Sequence, residues 1–237
     1  MARIVGGITT SHVPAIGGAI AKGLQNDPYW KPFFDGFVPV RHWLSEVKPD
    51  VAVVFYNDHG LNFFLDKMST FAIGAAPEYR NADEGWGIPT LAPLAGHQAL
   101  SWHVIESLVN EEFDPVTCQE MLVDHAVSLP MALLWPDQKC PVKVIPVCIN
   151  TVQAPLPSAR RCYELGQAVA RVTAPLNRMT AFNRSDQRSE RLSPTRSSSS
   201  VGHIRSRKAD AEPRHPLADS RCSTVTRTEE LPIREVG

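Results

Sequence analysis

The chain has 237 residues, 43% of them hydrophobic and 21% charged, with a formal net charge of −1, which leaves room for one sizeable α/β domain or two small ones of ordinary apolar content. No stretch reaches the roughly 18 apolar residues of a membrane span, and the N-terminus lacks a basic segment followed by a long apolar run, so export and membrane insertion are disfavoured and a cytoplasmic location is expected. Five cysteines, at 118, 140, 148, 162 and 222, form no C-x-x-C pair, which excludes a zinc ribbon and a disulfide framework and points to reduced thiols.

Residues 2–9 predict a short strand broken by glycines, which delivers Thr10-Ser11-His12 to its carboxyl end before Pro14 discourages continuation. A loop rich in aromatics follows (Tyr29, Trp30, Phe33, Phe34, Phe37), and then helical character over 40–47, ended by Lys48-Pro49-Asp50. The run Val51–Tyr56 is that of a buried strand, and Asn57-Asp58-His59-Gly60 comes directly after it. His12 and His59 thus stand just past two strands read as neighbours, where open α/β sheets place ligands and catalytic groups.

Downstream, 70–74 predicts a strand, 81–93 a loop, and 97–111 a helix with Leu100, Val104 and Leu108 on one stripe. Val123-Asp124-His125 ends another short piece, 129–134 has helical character, 142–147 repeats the apolar strand signature, and 160–172 closes the pattern as a helix. Strands alternating with helices predict an α/β fold with a mainly parallel or mixed sheet flanked by helices. From about residue 173 the pattern stops. Ser and Arg supply 21 of the last 65 residues and Phe182 is the single aromatic, so a disordered C-terminal tail over 173–237 is expected. With 12 Lys+Arg against 8 Asp+Glu, that tail is weakly suited to nucleic acid.

Three histidines, His12, His59 and His125, each follow a short apolar or mixed run. Neutral imidazole suits Fe(II), and two of them with one carboxylate form a facial set that leaves positions open for substrate and oxygen. On spacing alone, loop histidines without a metal are the plainer reading, because no compact H-x-x-x-H element is present. Asp58 is open to two readings, orienting a ligand from behind or forming a turn at the strand end.

Thr10-Ser11-His12-Val13-Pro14, Val53–His59, Ala82-Asp83-Glu84-Gly85-Trp86-Gly87, Val123-Asp124-His125 and Pro157–Tyr163 occur in the order and at the spacings of one known family. Over residues 1 to about 172 the chain resembles the class III extradiol ring-cleaving dioxygenases, and within them the catalytic beta subunits of the protocatechuate 4,5-dioxygenase type. The resemblance implies that His12 and His59 are iron ligands and that His125 lines the active site, where it hydrogen-bonds oxygen or substrate; Ala126 stands where the family has glycine. It further implies Fe(2+), O2, a catecholic acid as substrate (protocatechuate, or gallate as the alternative), cleavage to a muconate semialdehyde, and a small alpha subunit in a hetero-oligomer.

Two family parts are missing beyond residue 172: a G-T-G-G-x-S-H-Q element, whose histidine resembles a general base, and the glutamate that completes the iron site. His203, His215, Glu229, Glu230 and Glu235 lie in contexts that match neither. The domain reading is therefore 1–172 as the first part of the catalytic domain, and 173–237 as a tail read as out-of-frame sequence after a frameshift near codon 172. The chain as it stands is then expected to be inactive or nearly so. The competing readings are a non-catalytic remnant that folds partly or associates with a partner subunit, and a zinc hydrolase on a related scaffold.

Overall fold

The computed structural model describes residues 4–85 and 91–173, together with the backbone of 179–182. Its elements follow in the order β1 (Ile4–Ile8), α1 (Pro14–Ala21), α2 (Lys31–Val47), β2 (Val51–Tyr56), β3 (Phe71–Gly74), β4 (Glu78–Asn81), β5 (Leu94–Ala95), α3 (Gln98–Asn110), β6 (Val116–Cys118), β7 (Leu122–Val123), α4 (His125–Leu134), β8 (Lys143–Ile149), α5 (Ala159–Thr173) and β9 (Met179–Phe182). Six strands form a mixed sheet in the order β1-β9-β2-β8-β3-β6, parallel except where β3 runs against β8. A smaller sheet joins β5, β4 and β7.

The side chains of β2 explain the layering. Alternate residues of a strand point to opposite faces, so Ala52, Val54 and Tyr56 pack with Ile16, Phe37, Val40, Leu44 and Leu133 of α1, α2 and α4. Val51 and Val53 pack on the other side with Leu100, Val104, Leu108, Leu165 and Val169 of α3 and α5. Both faces of the strand are covered, which is why its sequence is a continuous apolar run. Burying each Val or Leu of these layers contributes about 1.5–3 kcal/mol. On the first face, Gly6 of β1 allows Trp43 to lie close: a Cβ there would stand 2.4 Å from the indole ring.

Several expectations are corrected. The aromatic segment before residue 40 is the first half of α2 and not a loop; Gly36 and Pro39 disguise it, yet Pro39 sits inside the helix and the aromatic face is what packs. β1 ends at Ile8, well before Pro14, and Pro14 instead opens α1, where its missing N–H leaves no bond unmade. β1 and β2 are not neighbours, because β9 pairs parallel with both. That strand falls within the segment 173–237 read as disordered, and four residues are too few to show a period. The rest of that segment, and residues 86–90 of the expected loop at 81–93, lie outside the described residues.

Candidate metal centre

The site is assembled at the carboxyl ends of parallel strands. β1 runs out into His12, which is 7% exposed, two residues before α1 begins. β2 runs out into Asn57, Asp58 and His59. In the smaller sheet β4 and β7 are parallel, with Asn81 opposite Val123, so β7 delivers Asp124 and His125 beside the segment that follows β4. Asp124 is the N-cap of α4 and His125 its first residue. His125 therefore stands on a buried helix, which fixes its backbone more firmly than a loop would.

The structure brings the three sequence-predicted histidines together. Their ring centroids are 5.1 Å apart for His12 and His59, 5.5 Å for His12 and His125, and 4.2 Å for His59 and His125. One ring nitrogen from each lies within 4.8 Å of the others. Asp58 is placed differently. Its buried carboxylate accepts the backbone N–H groups of Gly60, Leu61, Asn62 and Phe63 and the Asn62 side-chain amide, so it shapes the turn after β2. Of the two readings of Asp58, the turn is the one its hydrogen bonds support.

The carboxylates that do hold the imidazoles are two that sequence reasoning left without a role. Asp124 Oδ2 lies 2.9 Å from Nδ1 of His59 and accepts the His59 backbone N–H at 2.9 Å, while Oδ1 accepts the Ala126 N–H at 2.9 Å and caps α4. Glu84 makes a matching pair of contacts to His125. Both residues lie inside quoted motifs, which was the available signal. What the motifs do not show is that Asp124 serves His59 and not the adjacent His125.

These contacts set the protonation states. Burial, reinforced by the positive charge of His59 and then of His125, pulls the His12 pKa down to about 4. Burial also works against a charged His59, but the hydrogen bond and charge of Asp124, with Glu84 and Asp58 behind it, outweigh that and raise its pKa. A carboxylate on Nδ1 leaves Nε2 as the lone-pair nitrogen of neutral His59, and the Asn57 side-chain amide nitrogen is 3.1 Å from it. Converging imidazoles, one of them buried and neutral and two with carboxylates behind Nδ1, are a donor set and outer support that could hold a transition metal. Glu84, Asp124 and His125 form a second group within 4.8 Å, although their oxygens are already engaged by these hydrogen bonds. A cleft of about 240 Å³ opens beside His59, walled by Phe63, Phe64, Leu65, Met68 and Val152.

An α/β sheet with a histidine cluster at its carboxyl edge defines a candidate metalloenzyme domain. The chain belongs to the family described as the catalytic LigB subunit of aromatic ring-opening dioxygenase, which matches residues 6–230. That match runs beyond residue 172, where the recognisable motifs stop. A gallate dioxygenase of Pseudomonas putida is 44% identical over 91 residues, 38% of this chain and 27% of the relative. A 2,3-dihydroxyphenylpropionate/2,3-dihydroxicinnamic acid 1,2-dioxygenase of Photorhabdus laumondii is 32% identical over 163 residues, 68% of this chain and 48% of the relative. Another protein of that description, from Burkholderia vietnamiensis, is 34% identical over 138 residues, 58% and 42% of the two chains. The chain spans about half the length, or less, of these curated relatives. Among the described residues no helix is long and apolar enough to cross a membrane.

Proposed function

We propose that this chain carries the two-histidine part of a ferrous centre for extradiol cleavage of a catecholic acid, with His12 and His59 as the metal ligands. The observation that carries the reading is the convergence of those two imidazoles, 5.1 Å apart, from the ends of β1 and β2. Burial keeps His12 unprotonated at neutral pH, so its lone pair is available to an ion. Asp124 holds the His59 ring and leaves Nε2 as its donor. His125, against His59, is positioned to hydrogen-bond substrate or oxygen. Bound Fe(II) would supply the redox chemistry that joins a catechol to O2, with both oxygen atoms entering the ring-opened muconate semialdehyde.

The substrate proposed is protocatechuate; gallate is the second reading, supported by the 44% identity to a gallate dioxygenase. A small alpha subunit completing a hetero-oligomer and a cytoplasmic location belong to the same proposal. So does the reading of residues 173–237 as out of frame. Translating the other two forward frames tests that last point: a strand followed by Gly-Gly-x-Ser-His-Gln supports it, and its absence from both overturns it.

The site is tested by anaerobic Fe(II) titration, followed through the thermal midpoint, on the wild type, His12→Ala and His59→Ala. Weak binding by the wild type, lost in both variants, is expected, since a carboxylate ligand that would offset the dication's charge is not assigned in the chain. Binding unaffected by either substitution would overturn the assignment. Oxygen uptake with protocatechuate and gallate, near zero for this chain and restored when an in-frame downstream segment is appended, separates the substrates.

A further inference from the structure

The segment Ala82-Asp83-Glu84-Gly85 has no part in the proposed ligand pair, yet its geometry is specific. Ala82 N–H donates to the Val123 carbonyl at 3.0 Å, which continues the β4–β7 pairing one residue past the strand. Asp83 Oδ1 then accepts the Gly85 N–H at 3.0 Å, and Gly85 takes a φ of 69°, a left-handed value that glycine adopts without steric cost. The turn returns the Glu84 side chain to the start of α4. There Oε2 accepts the backbone N–H of His125 at 2.7 Å and Oε1 lies 2.8 Å from Nδ1 of the same residue. The contact is nearly dry: the side chains of His125 and Glu84 are 4% and 14% exposed.

We propose that Glu84 is a positioning residue that locks His125 with its ring proton on Nδ1, leaving Nε2 as the basic nitrogen offered to the reacting groups. The role in turnover rests on the placement of His125 proposed above; the lock itself does not. An ionised carboxylate only accepts hydrogen bonds, so Nδ1 must donate in this contact. The second oxygen grips the backbone of the same residue, so ring and main chain are referenced to one rigid group and the imidazole cannot rotate without breaking the pair. First-turn N–H groups of a helix have no partner within the helix, so the backbone donor needs an acceptor here. Partners of this kind fix which histidine nitrogen carries the proton.

An amide in place of the carboxylate cannot do the same. It has one acceptor oxygen and one NH2 group. In Glu84→Gln the buried His125 backbone N–H claims the oxygen, because an unpaired donor there would be costly. The NH2 then faces Nδ1, which has to become the acceptor, and the ring proton moves to Nε2. A near-isosteric change thus inverts the tautomer, an effect that loss of packing alone would not produce.

The test is the ring 15N spectrum of His125 in the full-length chain without added metal, at about pH 9, above the ordinary histidine range near 6.5. The His125 signals are assigned by their disappearance in His125→Gln, and circular dichroism confirms that each variant is folded. Wild type is expected to show a protonated Nδ1 and an unprotonated Nε2, and Glu84→Gln the reverse. A wild-type proton on Nε2 overturns the proposal whether or not any variant folds, as does a folded Glu84→Gln that keeps the wild-type pattern. Neither iron nor turnover enters the measurement, so failure of the lock is distinguishable from failure of the ring-cleavage reading, which the Fe(II) titration of His12 and His59 variants decides.

Discussion

Asp124 Oδ2 is shared by two nitrogens of His59, the backbone N–H and ring Nδ1, each at 2.9 Å. Its other oxygen caps α4 through Ala126, and the side chain is fully buried. One carboxylate therefore couples the end of β2 to the start of the helix that carries His125.

Asp124→Asn should weaken metal binding about 10–100-fold, because the anionic partner that orients His59 and raises its basicity becomes a neutral amide. The amide NH2 also meets a donor among the three that the carboxylate serves, so the unfolding midpoint should fall as well. Asp124→Ala should cost more, on the order of 1–3 kcal/mol for each buried donor left unpaired. Metal titration paired with urea denaturation checks both; unchanged affinity in a folded Asp124→Asn would contradict the account.

His12 should make the metal-free protein acid-sensitive. Its pKa is about 4 when folded and 6.5 in the unfolded chain, so between those values the unfolded state binds more protons and stability rises with pH. The contribution is present in full above 6.5 and is lost as the pH falls towards 4, to an extent of no more than about 3 kcal/mol. His59 acts in the opposite sense: its pKa is raised, so its contribution is present below 6.5 and is lost as the pH climbs through the folded value. From pH 7.5 to 4.5 the urea midpoint of the wild type should fall relative to that of His12→Gln, since the substituted amide does not titrate. Parallel curves would show that the His12 ring gains its proton as readily folded as unfolded.

Asp58 should reveal itself through the turn it holds. Removing its carboxylate in Asp58→Ala leaves the N–H groups of Gly60, Leu61, Asn62 and Phe63 without their acceptor. Amide hydrogen exchange at 60–63 should accelerate selectively, with a stability loss of about 1–3 kcal/mol from the one fully buried donor among them, Phe63 N–H, since water can reach the part-buried others. Metal affinity should fall too, because His59 is the first residue of that turn. Exchange that stays slow at these four amides while affinity drops would mean that Asp58 acts on His59 by charge alone.

The sequence shows the sheet better than it shows the site's supports. β2 is legible because both of its faces are buried, leaving six apolar residues in a row between Asp50 and Asn57. His12 and His59 follow from strand ends, and their convergence is a property of parallel sheets in general. The first half of α2 is hidden because Gly36 and Pro39 carry breaker signals, while tertiary packing of Phe37, Val40 and Leu44 decides the conformation. The pairing of Asp124 with His59 and of Glu84 with His125 depends on β4 lying beside β7, strands of four and two residues. Elements so short leave no period to read, and which carboxylate meets which imidazole is settled only by their register.

The cleft beside His59 offers a way to separate substrate binding from metal binding. Its walls are apolar, and Phe64 and Leu65 are 56% and 70% exposed, an arrangement suited to covering the face of a ring held near His59. Met68→Trp should fill much of the 240 Å³ with a rigid ring while removing neither metal-ligand imidazole nor the Asp124 carboxylate that holds His59. Catechol affinity, measured by calorimetry under anaerobic conditions with Fe(II) present, should drop by about tenfold or more, equivalent to roughly 1.4 kcal/mol. Fe(II) affinity measured without catechol should stay at the wild-type value, because the buried Asp124 carboxylate that holds the His59 ring is not among the residues that line the cleft. If both affinities fall together, the cleft is structural support for the turn at 60–63; if neither falls, the ring lies elsewhere around the histidine cluster.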